Sequence, residues 1–201
     1  METVNKILAV IVILVVLAYD MAREYEKKSP PEPMLLVASE KITQGYFHEA
    51  VILVTHLPFR RNIGIMMNRP LTSGTLGDTP QLNGKTFAIF HGGPVAADEL
   101  GFIAKSAKHP QDAVMLYKDT YFSRDIEFLK KMIKRGNPIK ELRLYRGFAG
   151  WNWGQLEEEI KRGAWQIAKA DVDKIFTQNP QTLWPELIKQ VSTQDHKLGA
   201  R

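Results

Sequence analysis

Apolar residues fall in short runs bounded by turn residues along most of this 201-residue chain. The runs at 34–38 (MLLVA), 50–55 (AVILVT), 63–67 (IGIMM), 87–90 (FAIF), 113–117 (AVMLY) and 142–148 (LRLYRGF) have the length and composition of strands. From Ser123 the period changes. Ser123 suits an N-cap, Asp125 and Glu127 suit a first turn, Ile126, Leu129 and Ile133 share one face, and Gly136 closes the helix. Further helices are predicted over 154–161, where Leu156 and Ile160 lie four apart, and over 181–191. Strands that cluster early and helices that cluster late predict an irregular α+β domain.

The apolar pattern is different at the N-terminus. Residues 7–19 (ILAVIVILVVLAY) carry no charge and show no period. As a helix this run would span about 20 Å against a hydrocarbon core of about 30 Å, a length that Val4 and a snorkelling Lys6 extend. Residues 1–20 are therefore expected to hold a single membrane anchor across 7–19. Arg23, Lys27 and Lys28 favour the cytoplasmic side for the domain beyond them. The alternative is export after cleavage near Val16-Leu17-Ala18. A charged, proline-rich linker over 21–33, a domain over 34–192 and a polar tail over 193–201 complete the expected organisation.

Composition narrows this little further. Hydrophobic residues at 44% and charged residues at 24% describe an ordinary globular body. A formal net charge of +5 is too small to single out nucleic acid, so a nucleic-acid partner is not expected. With no cysteine, disulfides, thiolate metal sites and a cysteine nucleophile are all excluded.

Three passages have the look of site material. In IGIMMNRP, Pro70 holds Arg69 extended after an apolar strand, so that Asn68 and Arg69 are aimed in a fixed direction, either at an anion or at a glutamate. In FHGGPV, His91 precedes Gly92 and Gly93, whose amides can form an anion-binding concavity or simply a turn. In RGFAGWNWGQLEEEI, glycines at 147, 150 and 154 let the chain turn from a strand into a helix. One of Trp151 and Trp153 is expected in a core beneath that bend, while Glu157 and Glu158 suit the helix N-terminus. The three passages are expected to converge on one depression, with Asn68, Arg69, His91, Gly92, Gly93, Trp151, Gln155, Glu157 and Glu159 as candidate ligand-binding residues. Arg69 is expected to pair with Glu157 or Glu159 there, or with a ligand anion.

Together with LLVAS at 35–39, VILVTH at 51–56, YFSRDIEFL at 121–129, GAWQIA at 163–168 and LWPEL at 183–187, these passages resemble the YqgE/AlgH family over 34–191. The resemblance implies a compact α+β domain with a mixed, bifurcated sheet folded toward a pseudo-barrel and helices packed on it. It implies no established reaction, metal or cofactor, although one branch carries the label of a transcriptional regulator. Relatives usually have proline at Glu40 and Asp-Pro at Gln44-Gly45, and usually lack the apolar N-terminal run, so this chain departs from the pattern at those places.

Catalytic residues cannot be assigned from the sequence. No nucleophile elbow, phosphate loop or zinc-protease motif occurs, and His48, His56, His91, His109 and His196 lack metal-ligand spacing, so no metal and no cofactor is expected. The reading that asks least of these residues is a module that binds an anionic small molecule or a protein. The alternatives are an enzyme using the same depression, with His91 and Glu157 or Glu159 as an acid/base pair, and a transcriptional regulator contacting DNA through Lys130, Lys131, Lys134 and Arg135.

Overall fold

The computed structural model describes residues 11–12, 15–17, 34–55, 62–71, 81–82, 85–107, 110, 113–135, 139–169, 171, 176 and 179–199. In chain order the strands are β1 (Met34–Ala38), β2 (Val51–Thr55), β3 (Ile63–Met66), β4 (Gln81–Leu82), β5 (Lys85–Thr86), β6 (Ile89–His91), β7 (Val95–Ser106), β8 (Val114–Tyr117) and β9 (Thr120–Ser123). Helix α1 (Ile126–Lys134), strand β10 (Ile139–Gly150), helix α2 (Gln155–Lys161), strand β11 (Trp165–Lys169) and helix α3 (Pro180–Gly199) complete the chain. The class is α+β.

The strands β11-β1-β2-β3-β10-β7-β9-β8 form one sheet in that order, all antiparallel, and β6 adds to β10 in parallel. Among the described residues β4 and β5 pair only with each other. β11 and β8 end the series without meeting, so the expected pseudo-barrel is found as a curled half-barrel.

Why the sheet curls is visible in where alternate side chains go. Leu35 and Val37 of β1, Leu53 of β2 and Ile65 of β3 share one buried cluster with Ile103 of β7, Phe122 of β9 and Tyr145 of β10. Both halves of the sheet therefore close on the same core, into which α3 inserts Leu183, Ile188 and Val191. The intervening residues Leu36, Ile52, Val54 and Met66 face outward into a second core, closed by Leu156 of α2 and by Trp151 and Trp165. A third core, with Phe102, Ala104 and Leu144, is closed by Leu129 of α1. Strands buried on both faces must read as unbroken apolar runs, as 34–38 and 51–55 do.

Several boundaries differ from expectation for local reasons. Ser123 is the last residue of β9; its Oγ accepts from the Asp125 amide (3.1 Å), and Asp125 caps α1 by accepting from the Phe128 amide at 2.8 Å. α3 runs on to Gly199 instead of ending near Val191. Its start is set by Asn179, which accepts from the Gln181 amide at 3.1 Å, with Pro180 at the first helical position, where a missing N–H costs nothing. β10 and β11 come late in the chain, between helices, so strands and helices are less segregated than expected.

The expectation of a membrane anchor over 7–19 is corrected. Among the described residues no helix is long and apolar enough to cross a membrane. Of that run only 11–12 and 15–17 are described, and the 21–33 linker lies outside the described residues. The membrane placement, with the domain on the cytoplasmic side, is withdrawn with the anchor.

Candidate functional site

The glycines of the second and third passages lock two backbones together. The Gly92 amide donates to the Arg146 carbonyl (2.7 Å), and the Gly92 carbonyl accepts from the Met66 amide (2.8 Å). A Cβ on Gly92 would collide with the Gly147 carbonyl, one on Gly93 with the backbone of Phe148 and Ala149, and one on Gly147 with the Gly93 carbonyl. Gly147 also has φ +68°, a conformation that glycine adopts without strain. Glycine is needed here so that β10 and the 92–93 turn can touch.

Asn68 and Arg69 serve a neighbouring turn. Asn68 Oδ1 accepts from the Val51 amide at 2.9 Å, and its Nδ2 donates to the Glu49 carbonyl at 2.8 Å. Arg69 donates through Nη1 to the Tyr46 carbonyl and through Nη2 to the His48 carbonyl, the latter at 2.6 Å. Its guanidinium also stands over the Tyr46 ring, 6.0 Å from the centroid. Together they hold the 46–49 turn, in which Glu49 takes a left-handed φ of 55°. The expected ion pair between Arg69 and Glu157 or Glu159 is therefore corrected: the guanidinium binds main-chain carbonyls.

Glu159 is occupied as well. Its Oε2 accepts from the indole nitrogens of Trp151 (2.9 Å) and Trp165 (2.8 Å), and its Oε1 accepts from Gln155 Nε2 at 2.9 Å. Gln155 Oε1 in turn accepts from the Asn152 amide at 3.0 Å. Trp151 is 4% exposed and packs on Gly64, whereas Trp153 is 92% exposed. Of the two tryptophans only Trp151 is core. Glu157 is exposed in the first turn of α2, where Gly154 caps with φ +76°.

The three passages do meet, along a row of rings. The His91 amide donates to the Arg69 carbonyl at 2.8 Å, and the His91 ring stands edge-on to Tyr46 at 6.4 Å. Tyr46 contacts Phe47 (5.4 Å), Phe47 contacts Trp165 (5.6 Å), and Trp165 contacts Trp151 (6.4 Å). Burial, and then the charge of Arg69, hold the His91 imidazole below its ordinary pKa. Burial raises the Tyr46 hydroxyl, an effect that Arg69 opposes.

An open depression lies elsewhere, with a volume of ≈520 Å3. Ser39, Glu40 and Lys41 form one wall, Ile160 and Gly163 a second, and Trp165, Gln166 and Ile167 of β11 a third. Ile188, Val191 and Ser192 of α3 close it. Ser39, only 7% exposed, and Gln166 each present a buried oxygen, Oγ and Oε1, with no hydrogen-bond partner among the described residues. Sequence reasoning did not select any of these residues as binding groups. The available signal was Gln166, a polar residue two positions from Ala168 in a strand whose Ala168 side is core.

Comparison with known proteins agrees with this architecture. A protein of Methylococcus capsulatus named UPF0301 is 32% identical over 161 residues, covering 77% of this chain and 87% of that protein. One of the same name from Chlorobium limicola is 28% identical over 171 residues, covering 84% and 90%. The solution structure of the AlgH protein from Pseudomonas aeruginosa superposes with a TM-score of 0.60 at 24% identity, over 85% of this chain and 91% of that one. A crystal structure of a protein from Corynebacterium diphtheriae gives 0.55 at 20% identity, over 71% and 77%. Those two likenesses concern the fold. The profile of the AlgH-like family matches residues 35–195, from the first residues of β1 to within α3, and the chain belongs to that family.

Proposed function

We propose that this domain is a binding module whose ligand occupies the depression between 39–41, β11 and α3. The observation that carries this reading is an open depression whose walls include Ser39 and Gln166, residues that each bury a side-chain oxygen with no hydrogen-bond partner among the described residues. Leaving such a group unbonded costs about 1–3 kcal/mol, which a ligand donor would offset once the wall shifts enough to expose it. Around them, Ile167, 50% exposed, and the partly buried Ile160 supply apolar area, so the ligand combines an apolar body with at least one hydrogen-bond donor.

Most of the residues first expected to bind ligand also make contacts within the protein. Asn68, Arg69, Gly92, Gly93, Trp151, Gln155 and Glu159 hold turns and backbones in place, and through Phe47 and Trp165 this packed row supports one wall of the depression. A fragment screen followed by amide chemical shifts tests the proposal. Hits should move Ser39, Gln166 and Ile188 together, and Ser39→Ala should weaken them. Hits that gather instead around His91 and Tyr46, indifferent to Ser39→Ala, would refute it.

A further inference from the structure

We infer that the depression receives an extended peptide segment, added as one more strand along the open edge of β11, with an apolar side chain seated against α3. This rests on the binding reading above and specifies its ligand.

Successive side chains of a strand point to opposite faces. Trp165 belongs to the outer core and Ala168 to the inner one, so β11 obeys that alternation. A depression lined by three consecutive residues, Trp165, Gln166 and Ile167, takes in side chains of both faces, and with Gly163 and Ser39–Lys41 also lining it, it wraps around the start of β11 and reaches its edge there.

The edge itself is unpaired among the described residues, since β11 ends the strand order. The hydrogen-bond phase shows which backbone groups are free for a partner. The Ser39 amide donates to the Ala164 carbonyl (2.9 Å), whereas the Ala38 amide donates the other way, to Ala50 (2.8 Å). Odd-numbered residues of β1 therefore bond β11 and even-numbered ones bond β2. In the register of Val37 with Gln166 and Leu35 with Ala168, it is Trp165, Ile167 and Lys169 whose N–H and C=O groups point away from β1.

An open edge of this kind is a template for another strand. Here it is paired with a helical wall, since Ile188 and Val191, three apart on α3 and mostly buried in the inner core, also line the depression. Ile167 at the middle of the edge is 50% exposed and is ready to be covered. Main-chain hydrogen bonds to β11 would supply affinity, and the α3 wall would select an apolar side chain.

The test uses the full chain and a random peptide library displayed on phage, then synthetic copies of a selected peptide N-methylated at one amide at a time. Strand addition predicts loss of binding by about ten-fold or more at alternate positions only, because every second amide faces β11. Ile167→Pro should produce the same loss while the β1–β11 ladder persists, since the N–H it removes points outward. Amide exchange should slow at Trp165, Ile167 and Lys169 when peptide binds. If N-methylation is tolerated throughout while Ser39→Ala and Gln166→Leu still abolish binding, strand addition is wrong and the binding module stands. Peptides indifferent to every one of these changes overturn both. A library that yields no binder overturns strand addition.

Discussion

Two clusters of this domain invite opposite readings. The one around Asn68, Arg69, His91, Gly92, Gly93, Trp151 and Glu159 is rich in residue types associated with sites, and the side chains of Asn68, Arg69, Trp151 and Glu159 are hydrogen-bonded within the protein itself. The other, between Ser39, Gln166, Ile167 and α3, is built from ordinary residue types and keeps buried oxygens without partners. Distinctive residues mark positions where substitution is costly, and here the cost is architectural. Ligand chemistry is better sought where the fold leaves hydrogen-bonding capacity unused.

The largest effects should therefore lie in the first cluster. Gly92→Ala and Gly93→Ala each place a Cβ inside a backbone contact and should abolish the folded state in thermal and chemical denaturation. Gly150→Ala is the comparator: its Cβ would meet Phe148 at 3.7 Å, ordinary contact, and the variant should fold. If Gly92→Ala and Gly93→Ala both melt like the parent, the interlock of β10 with the 92–93 turn is not what these glycines provide. Next in size comes the tryptophan pair. Trp151→Ala should cost about 3–5 kcal/mol through lost burial, and Trp153→Ala no more than about 0.5 kcal/mol. Similar losses at both positions would contradict the assignment of a single core indole.

Much of the fold is legible in the sequence because apolar runs buried on both faces have no polar residues to confuse them. The pattern places β1 at 34–38, and β2 and β3 to within a residue. β7 escapes it because its first half, Val95–Leu100, is largely exposed and is interrupted by Asp98 and Glu99, and only the half from Gly101 is buried. β9 is hidden behind Ser123, whose hydroxyl does stabilise the approach to the helix but from inside the strand. β11 is five residues long and comes after a helix and a short turn, too brief for a period to declare itself. Within the site, residue types are readable and partners are not. Arg69 reaches carbonyls more than twenty residues away in sequence, and no local pattern announces that.

Effects of intermediate size probe the turn that Arg69 and Asn68 hold. Arg69→Met and Asn68→Ala should each cost about 1–3 kcal/mol, since they leave the Tyr46 and His48 carbonyls, or the Val51 amide and Glu49 carbonyl, without their side-chain partners. A loss confined to ligand binding, with stability intact, would return Arg69 to the role of an anion receptor. His91 adds a smaller, pH-dependent effect. Its folded pKa lies below the unfolded value of about 6.5, so the unfolded chain binds the proton more readily and stability falls as pH drops through that range. Above it both states are neutral and the contribution vanishes. His91→Gln should flatten this part of the stability profile, and an unchanged slope would show that the imidazole is not held neutral by its surroundings.

The smallest change in stability should come from the second cluster, and it distinguishes the two most sharply. Removing one partner of a satisfied, part-buried pair leaves the other, here the Val51 amide, without its side-chain acceptor, which is why Asn68→Ala is expected to be costly. Ser39→Ala strands nothing, because Ser39 Oγ has no partner to lose among the described residues. Taking away an unsatisfied hydroxyl should leave stability within about 0.5 kcal/mol of the parent or raise it, the lost desolvation penalty balancing a minor change in packing. The same substitution should weaken whatever binds in the depression. A clear loss of stability in Ser39→Ala would mean that the hydroxyl has a structural partner after all, and the depression would then resemble the first cluster, a place where polar groups serve the fold.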